Sequence, residues 1–244
     1  MLTKLKDYGI IDYIYAKTSP IKINKNEYQT FKKEIINQNL NPKEAYICFL
    51  PWRTTINEAK KLGLIPKTTK TIVYQGPVGI VNKNPHQTKQ LLKQIEIDIK
   101  FEIKSNKLKE FNILCYSIGT YMGFHIANKF SAKKLIAVVP GSKVGETIWD
   151  GIATQKIKNQ SIKEGFLTPQ IYDKILNPTN PIENISNLPE NIEIYIGTHD
   201  KFIKPKHSQD LINAIEKIRT PKIIKYQSRG HVLSLAKFGK ENNL

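Results

Sequence analysis

Cysteine, arginine and long apolar runs are all scarce in this chain. Two cysteines, Cys48 and Cys115, stand among 244 residues. Both lie inside apolar runs, which reads as core packing and argues against a disulfide framework or a cysteine-rich metal module. Arg53, Arg219 and Arg229 are the only arginines. Proteins that read nucleic acid lean on arginine forks and clustered basic patches, so this scarcity points away from a nucleic-acid partner despite a formal net charge of +17. The charge rests on lysines scattered singly along every segment beside abundant isoleucine and asparagine, a bias of composition rather than a binding stripe. No stretch approaches the roughly 18 uninterrupted apolar residues of a spanning helix. The opening residues MLTKLKDYGIIDYIYAK lack the apolar run of a signal peptide. The expectation is a soluble, cytoplasmic protein without integral membrane contact.

What the chain does have is alternation. Short apolar runs take turns with amphipathic stretches, the pattern of a mostly parallel sheet of about six to eight strands flanked by helices. Strands are expected at 45–52, 71–79, 111–117, 133–141, 192–197 and 222–228, and helices at 56–64, 118–130, 208–219 and from His231 onward. Residues 86–106 read as helical early and alternating late; residues 26–38 read as helical, with room for one edge strand before them. About fifty residues separate the strand ending near Val139 from the one starting near Ile192, far more than a compact crossover needs. They read as a helical lid insertion, about 143–186, within a single domain spanning 1–244. At the carboxyl edge of a parallel sheet such an insertion would roof a site, with Trp149 as its candidate substrate contact.

The stretch NILCYSIGTYMGF, residues 112–124, concentrates the chemistry. A buried strand runs into Ser117, Gly119 follows, and Gly123 comes one helical turn later. A strand-to-helix turn this tight holds its central residue in strained backbone angles and projects the side chain beyond the sheet. Small residues are needed two places either side; Gly119 fits, and Cys115 takes the place where glycine is usual. A plain helix N-cap is the alternative role for a serine at such a junction. A nucleophilic hydroxyl needs a base, and the base an orienting carboxylate. GTHDKFIKP offers Asp200 just past one strand, and QSRGHVLSL offers His231 just past the next.

With these three loops in this order, the chain resembles the α/β-hydrolases from about residue 45 onward. The resemblance implies a Ser117–His231–Asp200 triad, an acyl-enzyme intermediate and no metal or organic cofactor. Asp150 and Glu146 stand as alternative acids, since some relatives carry the acid after the preceding strand. The oxyanion would be held by the backbone amides of Ile118 and of Arg53 or Trp52, because Pro51 has no amide hydrogen. The histidine–glycine pair usual in that last loop is replaced here by Pro51–Trp52. The implied substrate is a small-molecule acyl ester or thioester. An acyltransferase or thioesterase on the same residues, and a binding protein that keeps the fold without the chemistry, are the competing readings. An unperturbed imidazole as base predicts activity falling below about pH 6.5.

Overall fold

The computed structural model describes residues 8–18, 30–40, 45–108 and 110–242. Seven strands form one sheet: β1 (Lys32–Ile36), β2 (Ala45–Phe49), β3 (Thr71–Gln75), β4 (Phe111–Tyr116), β5 (Lys134–Val138), β6 (Asn191–Gly197) and β7 (Lys222–Tyr226). Their order is β1-β3-β2-β4-β5-β6-β7. Every neighbouring pair from β3 to β7 is parallel, and only β1 runs antiparallel, at the edge beside β3. The chain leaves β2 toward one side of the sheet and returns through β4 on the other. The order therefore reverses between β2 and β4, which opens a crevice at their carboxyl ends.

The central strands read as unbroken apolar runs because both faces are covered. Ile47, Phe49, Ile113, Cys115, Leu135 and Ala137 point into one layer of the core. It is closed by helices α3 (Pro85–Ser105), α4 (Gly119–Phe130) and α8 (Pro205–Glu216). Cys48, Val73, Leu114, Tyr116, Ile136 and Val138 point into the other, against α2 (Ile56–Lys61) and α9 (His231–Glu241). Between β5 and β6 the chain forms α5 (Val144–Asp150), α6 (Gln155–Lys163) and α7 (Pro169–Leu176). One further helix, α1 (Ile10–Thr18), precedes the sheet.

Two segments differ from the sequence reading. Residues 86–106 form one helix to Ser105 rather than a helix that gives way to alternation. Leu92, Ile95, Ile99 and Glu102, spaced three and four apart, are its buried face, while Ile97 and Phe101 are 70% and 62% exposed. Half of the apparent alternation faces water. Residues 32–36, expected to be helical, are the edge strand β1; residues 26–29 of that expected helix lie outside the described residues. Lys33 reaches Asp98 at 2.9 Å and Glu102 at 2.5 Å on α3, and Glu34 pairs with Lys60 at 2.6 Å. A short charged strand is a common way to guard a sheet edge.

Candidate active site

Because β2, β4, β6 and β7 are parallel, the loops leaving them emerge along one rim, and each carries a group named above. At the end of β4 the backbone turns sharply, and Ser117 sits in the left-handed region with φ 51°. Its amide donates to Val138 O at 2.9 Å, and its carbonyl accepts from the Thr120 amide and hydroxyl at 3.0 and 2.6 Å. A Cβ on Gly119 would lie 2.6 Å from Phe49 O, so only glycine lets α4 start this close to β2. A Cβ on Gly123 would run into Cys115 Sγ. Cysteine thus fits where the resemblance leads one to expect glycine, because Gly123 supplies the missing volume from the helix side.

The three expected side chains meet. Ser117 Oγ is 2.8 Å from His231 Nε2, and His231 Nδ1 is 2.6 Å from Asp200 Oδ2. An ionised carboxylate has no proton to give, so Nδ1 carries the hydrogen and donates it to Asp200. Nε2 is left to accept the serine hydroxyl. All three residues are buried. The second oxygen of Asp200 accepts the amides of Phe202 and Ile203, each at 2.8 Å, which fixes the carboxylate in its turn. The Phe202 ring stacks on the imidazole with centroids 5.1 Å apart. Burial alone would lower the His231 pKa. The charge and hydrogen bond of Asp200, with the charge of Asp12, outweigh it and raise the pKa above the ordinary imidazole value.

A cavity of about 200 Å³ opens over Ser117 and His231. Trp52, Arg53 and Ile118 line it, as do Val144, Thr147 and Ile148 from α5. Its walls are mainly apolar, and among the described residues Arg53 is the only lysine or arginine in them. Arg53 itself has φ 64°, a bend that a non-glycine residue seldom adopts.

Three expectations are corrected. Trp149 does not line the cavity; its ring packs edge-on against Tyr172 at 5.7 Å, on the face of α5 turned to the core. Asp150 does not approach His231, since it accepts from His207 Nε2 at 3.0 Å and pairs with Lys206 at 2.6 Å. Glu146 pairs with Lys143 at 3.1 Å. Among the described residues, Glu146, His207 and Asp210 form one trio of metal-ligand type, with a ligand atom each within 4.8 Å. The lysine pairs just named already engage Glu146 and the Asp150 behind the imidazole.

One residue escaped the sequence reading. Asp12, on α1, is fully buried beside the site and accepts the amides of His231 and Val232 at 2.8 and 3.0 Å and of Lys201 at 3.0 Å. The signal was present in IIDYIYAK, where a lone acid sits in an apolar stretch. An acid there is either solvated or held by buried donors, and residues 1–44 supplied no strand frame by which to choose.

Neither a family model nor a curated protein matches the sequence. Solved structures do match. The chain is similar to an α/β-hydrolase enzyme from a Medee basin deep-sea metagenome library, at 14% identity and a TM-score of 0.55, over 87% of this chain and 91% of that one. It is similar to an esterase of Pyrococcus furiosus at 11% identity and a TM-score of 0.57, over 87% and 82%. An acylaminoacyl peptidase of Pyrococcus horikoshii aligns at 11% identity and a TM-score of 0.60 over 97% of this chain, which spans only 42% of that one. No helix of the described residues is long and apolar enough to cross a membrane. Sheet order, elbow and neighbours agree, and the chain has the α/β-hydrolase fold.

Proposed function

We propose that this protein is a serine hydrolase that cleaves a small carboxylic ester or thioester through an acyl-enzyme intermediate. The observation that carries the reading is the continuous relay from Ser117 Oγ through His231 to Asp200, at 2.8 and 2.6 Å, opening into a cavity. His231 Nε2 takes the hydroxyl proton as Ser117 Oγ attacks the carbonyl carbon. The resulting oxyanion is held by the Ile118 amide, at the positive end of α4, and by the amide of Arg53 or Trp52. The intermediate collapses, the bond to the alcohol or thiol breaks, and the leaving group departs with the proton from His231. Water then gives a proton to His231 and attacks the acyl group, and Ser117 recovers its hydrogen as the acid is released. Asp200 keeps its charge throughout and stabilises the imidazolium.

The apolar lining favours an uncharged acyl group, and the small volume favours a short one. Helix α5 supplies Val144, Thr147 and Ile148 to that lining, so α5, the first helix of the expected lid, walls the acyl pocket. A panel of p-nitrophenyl esters of increasing acyl length tests the reading on the wild type and Ser117→Ala. The wild type is expected to prefer the shortest chains. The variant is expected to lose turnover on the order of 10⁶-fold. Hydrolysis by Ser117→Ala close to that of the wild type would reject Ser117 as the nucleophile.

A further inference from the structure

We propose that Asp12, from the helix that precedes the sheet, is a positioning residue that locks the histidine loop to the acid loop and sets a second carboxylate beside the base. The proposal rests on the serine-hydrolase reading above and goes beyond it, because Asp12 touches no reacting atom.

The geometry is that of a clamp. One carboxylate oxygen, Oδ2, accepts both the His231 amide at 2.8 Å and the Lys201 amide at 3.0 Å. These amides belong to the base and to the residue after the acid, on loops that leave different strands. The other oxygen, Oδ1, accepts the Val232 amide at 3.0 Å. His231 and Val232 open α9, so Asp12 also satisfies two of that helix's unpaired amides and places a negative charge at its positive end. Three amide donors arranged on two oxygens is the environment of an ionised acid. The path of the base loop is shaped to admit it. A Cβ on Gly230 would lie 2.6 Å from Asp12 Oδ2 and 2.8 Å from Oδ1, so any other residue before His231 would push the carboxylate away. Helix α1 is anchored at both ends of the contact: the Tyr8 amide donates to Ser228 O at 3.3 Å, and Tyr8 and Tyr15 pack against His199 and Phe202.

A carboxylate placed here does two things. It fixes the backbone from which the imidazole projects, so the relay distances do not depend on the loops' own stiffness. Its charge also favours the protonated imidazole. Burial followed by the charge of Asp200 raises the pKa of Asp12 itself, while His231 and the two α9 amides oppose that rise. Among the described residues, the other charged or titratable groups on the surrounding elements are Tyr13, Tyr15 and Lys17 on α1, His199, Lys201 and Lys204 on the acid loop, Arg229 before His231, Lys237, Lys240 and Glu241 on α9, and Arg53 across the cavity. The imidazole nitrogens themselves are taken by Asp200 and Ser117.

The test is the rate at which a fluorophosphonate probe labels the folded full-length protein as a function of pH, in the wild type, Asp12→Asn and Asp12→Ala. The probe needs an activated serine but no knowledge of the substrate. Asp12→Asn keeps the size and one acceptor but drops the charge. It is expected to label more slowly, with the acid limb of its pH profile displaced to lower pH. Asp12→Ala also releases both loops and is expected to lose on the order of 10²-fold, the scale of a catalytic group misplaced by about 1 Å. Where Asp12→Ala fails to fold, Asp12→Asn carries the test alone. Labelling of Asp12→Asn with an unmoved acid limb, at any rate, would overturn the proposal while leaving the wild-type serine reading intact. A wild type that does not label at any pH would contradict that reading and the proposal with it.

Discussion

At Ser117 and His231 the account depends on a balance of three influences on one imidazole. Burial disfavours the imidazolium, and Asp200 and Asp12 favour it more strongly. The base must be neutral to accept the serine proton, so a raised pKa moves the loss of activity to higher pH. The acid limb of kcat/KM for a neutral ester is therefore expected above the ordinary histidine range of about 6.5, not at it as an unperturbed base would give. A pH–rate profile on p-nitrophenyl acetate checks this; a limb at or below 6.5 would show that desolvation wins. Ser117, Asp200 and His231 were legible in the sequence because each follows an expected strand within a few residues, and the three loops match those of the resembled family in order. Asp12 was not, because its partners are backbone amides 189 to 220 positions away, which leave no trace in local spacing. Trp149 misled for a different reason: an aromatic residue on an expected lid looks like a substrate contact, but a helix has two faces, and this one turns Trp149 toward Tyr172.

The tight turn at Ser117 is a contract between β4 and α4. Cys115 on the strand and Gly123 on the helix share one volume, since a Cβ at 123 would collide with both Sγ and Cβ of Cys115. Gly123→Ala is expected to destabilise the protein by roughly 1–3 kcal/mol through overpacking. Adding Cys115→Gly, which removes both offending atoms, is expected to recover part of that loss, so the double variant should be more stable than the sum of the singles. Urea unfolding of the four proteins measures the coupling, and strict additivity would show that the two residues do not share the space. The same reasoning explains which elements could be read in advance. Strands β2 to β7 lie within the expected segments, or within one residue of them, because strands buried on both faces need apolar residues at consecutive positions. The late part of α3 was obscured by exposed apolar residues that its buried spacing does not require. Strand β1 was mistaken for helix because the charges that protect a sheet edge are also those that decorate a helix surface.

In the molecule as a whole, the site is a consequence of topology. Parallel strands bring four loops to one rim, the reversal between β2 and β4 opens the crevice, and α5 with the turn after it lines one wall. Among the described residues, the lysine excess that dominates the composition contributes no side chain to the cavity lining, where Arg53 stands alone among the lysines and arginines. Composition therefore says little about the chemistry, whereas chain order says much. If Ser117 is an activated nucleophile, a fluorophosphonate reacts with it in the folded wild type, and peptide mapping locates the adduct. A single adduct is expected on the peptide carrying Ser117, absent from Ser117→Ala and from heat-unfolded protein. A folded wild type that takes up no probe, or an adduct that persists unchanged in Ser117→Ala, would contradict it.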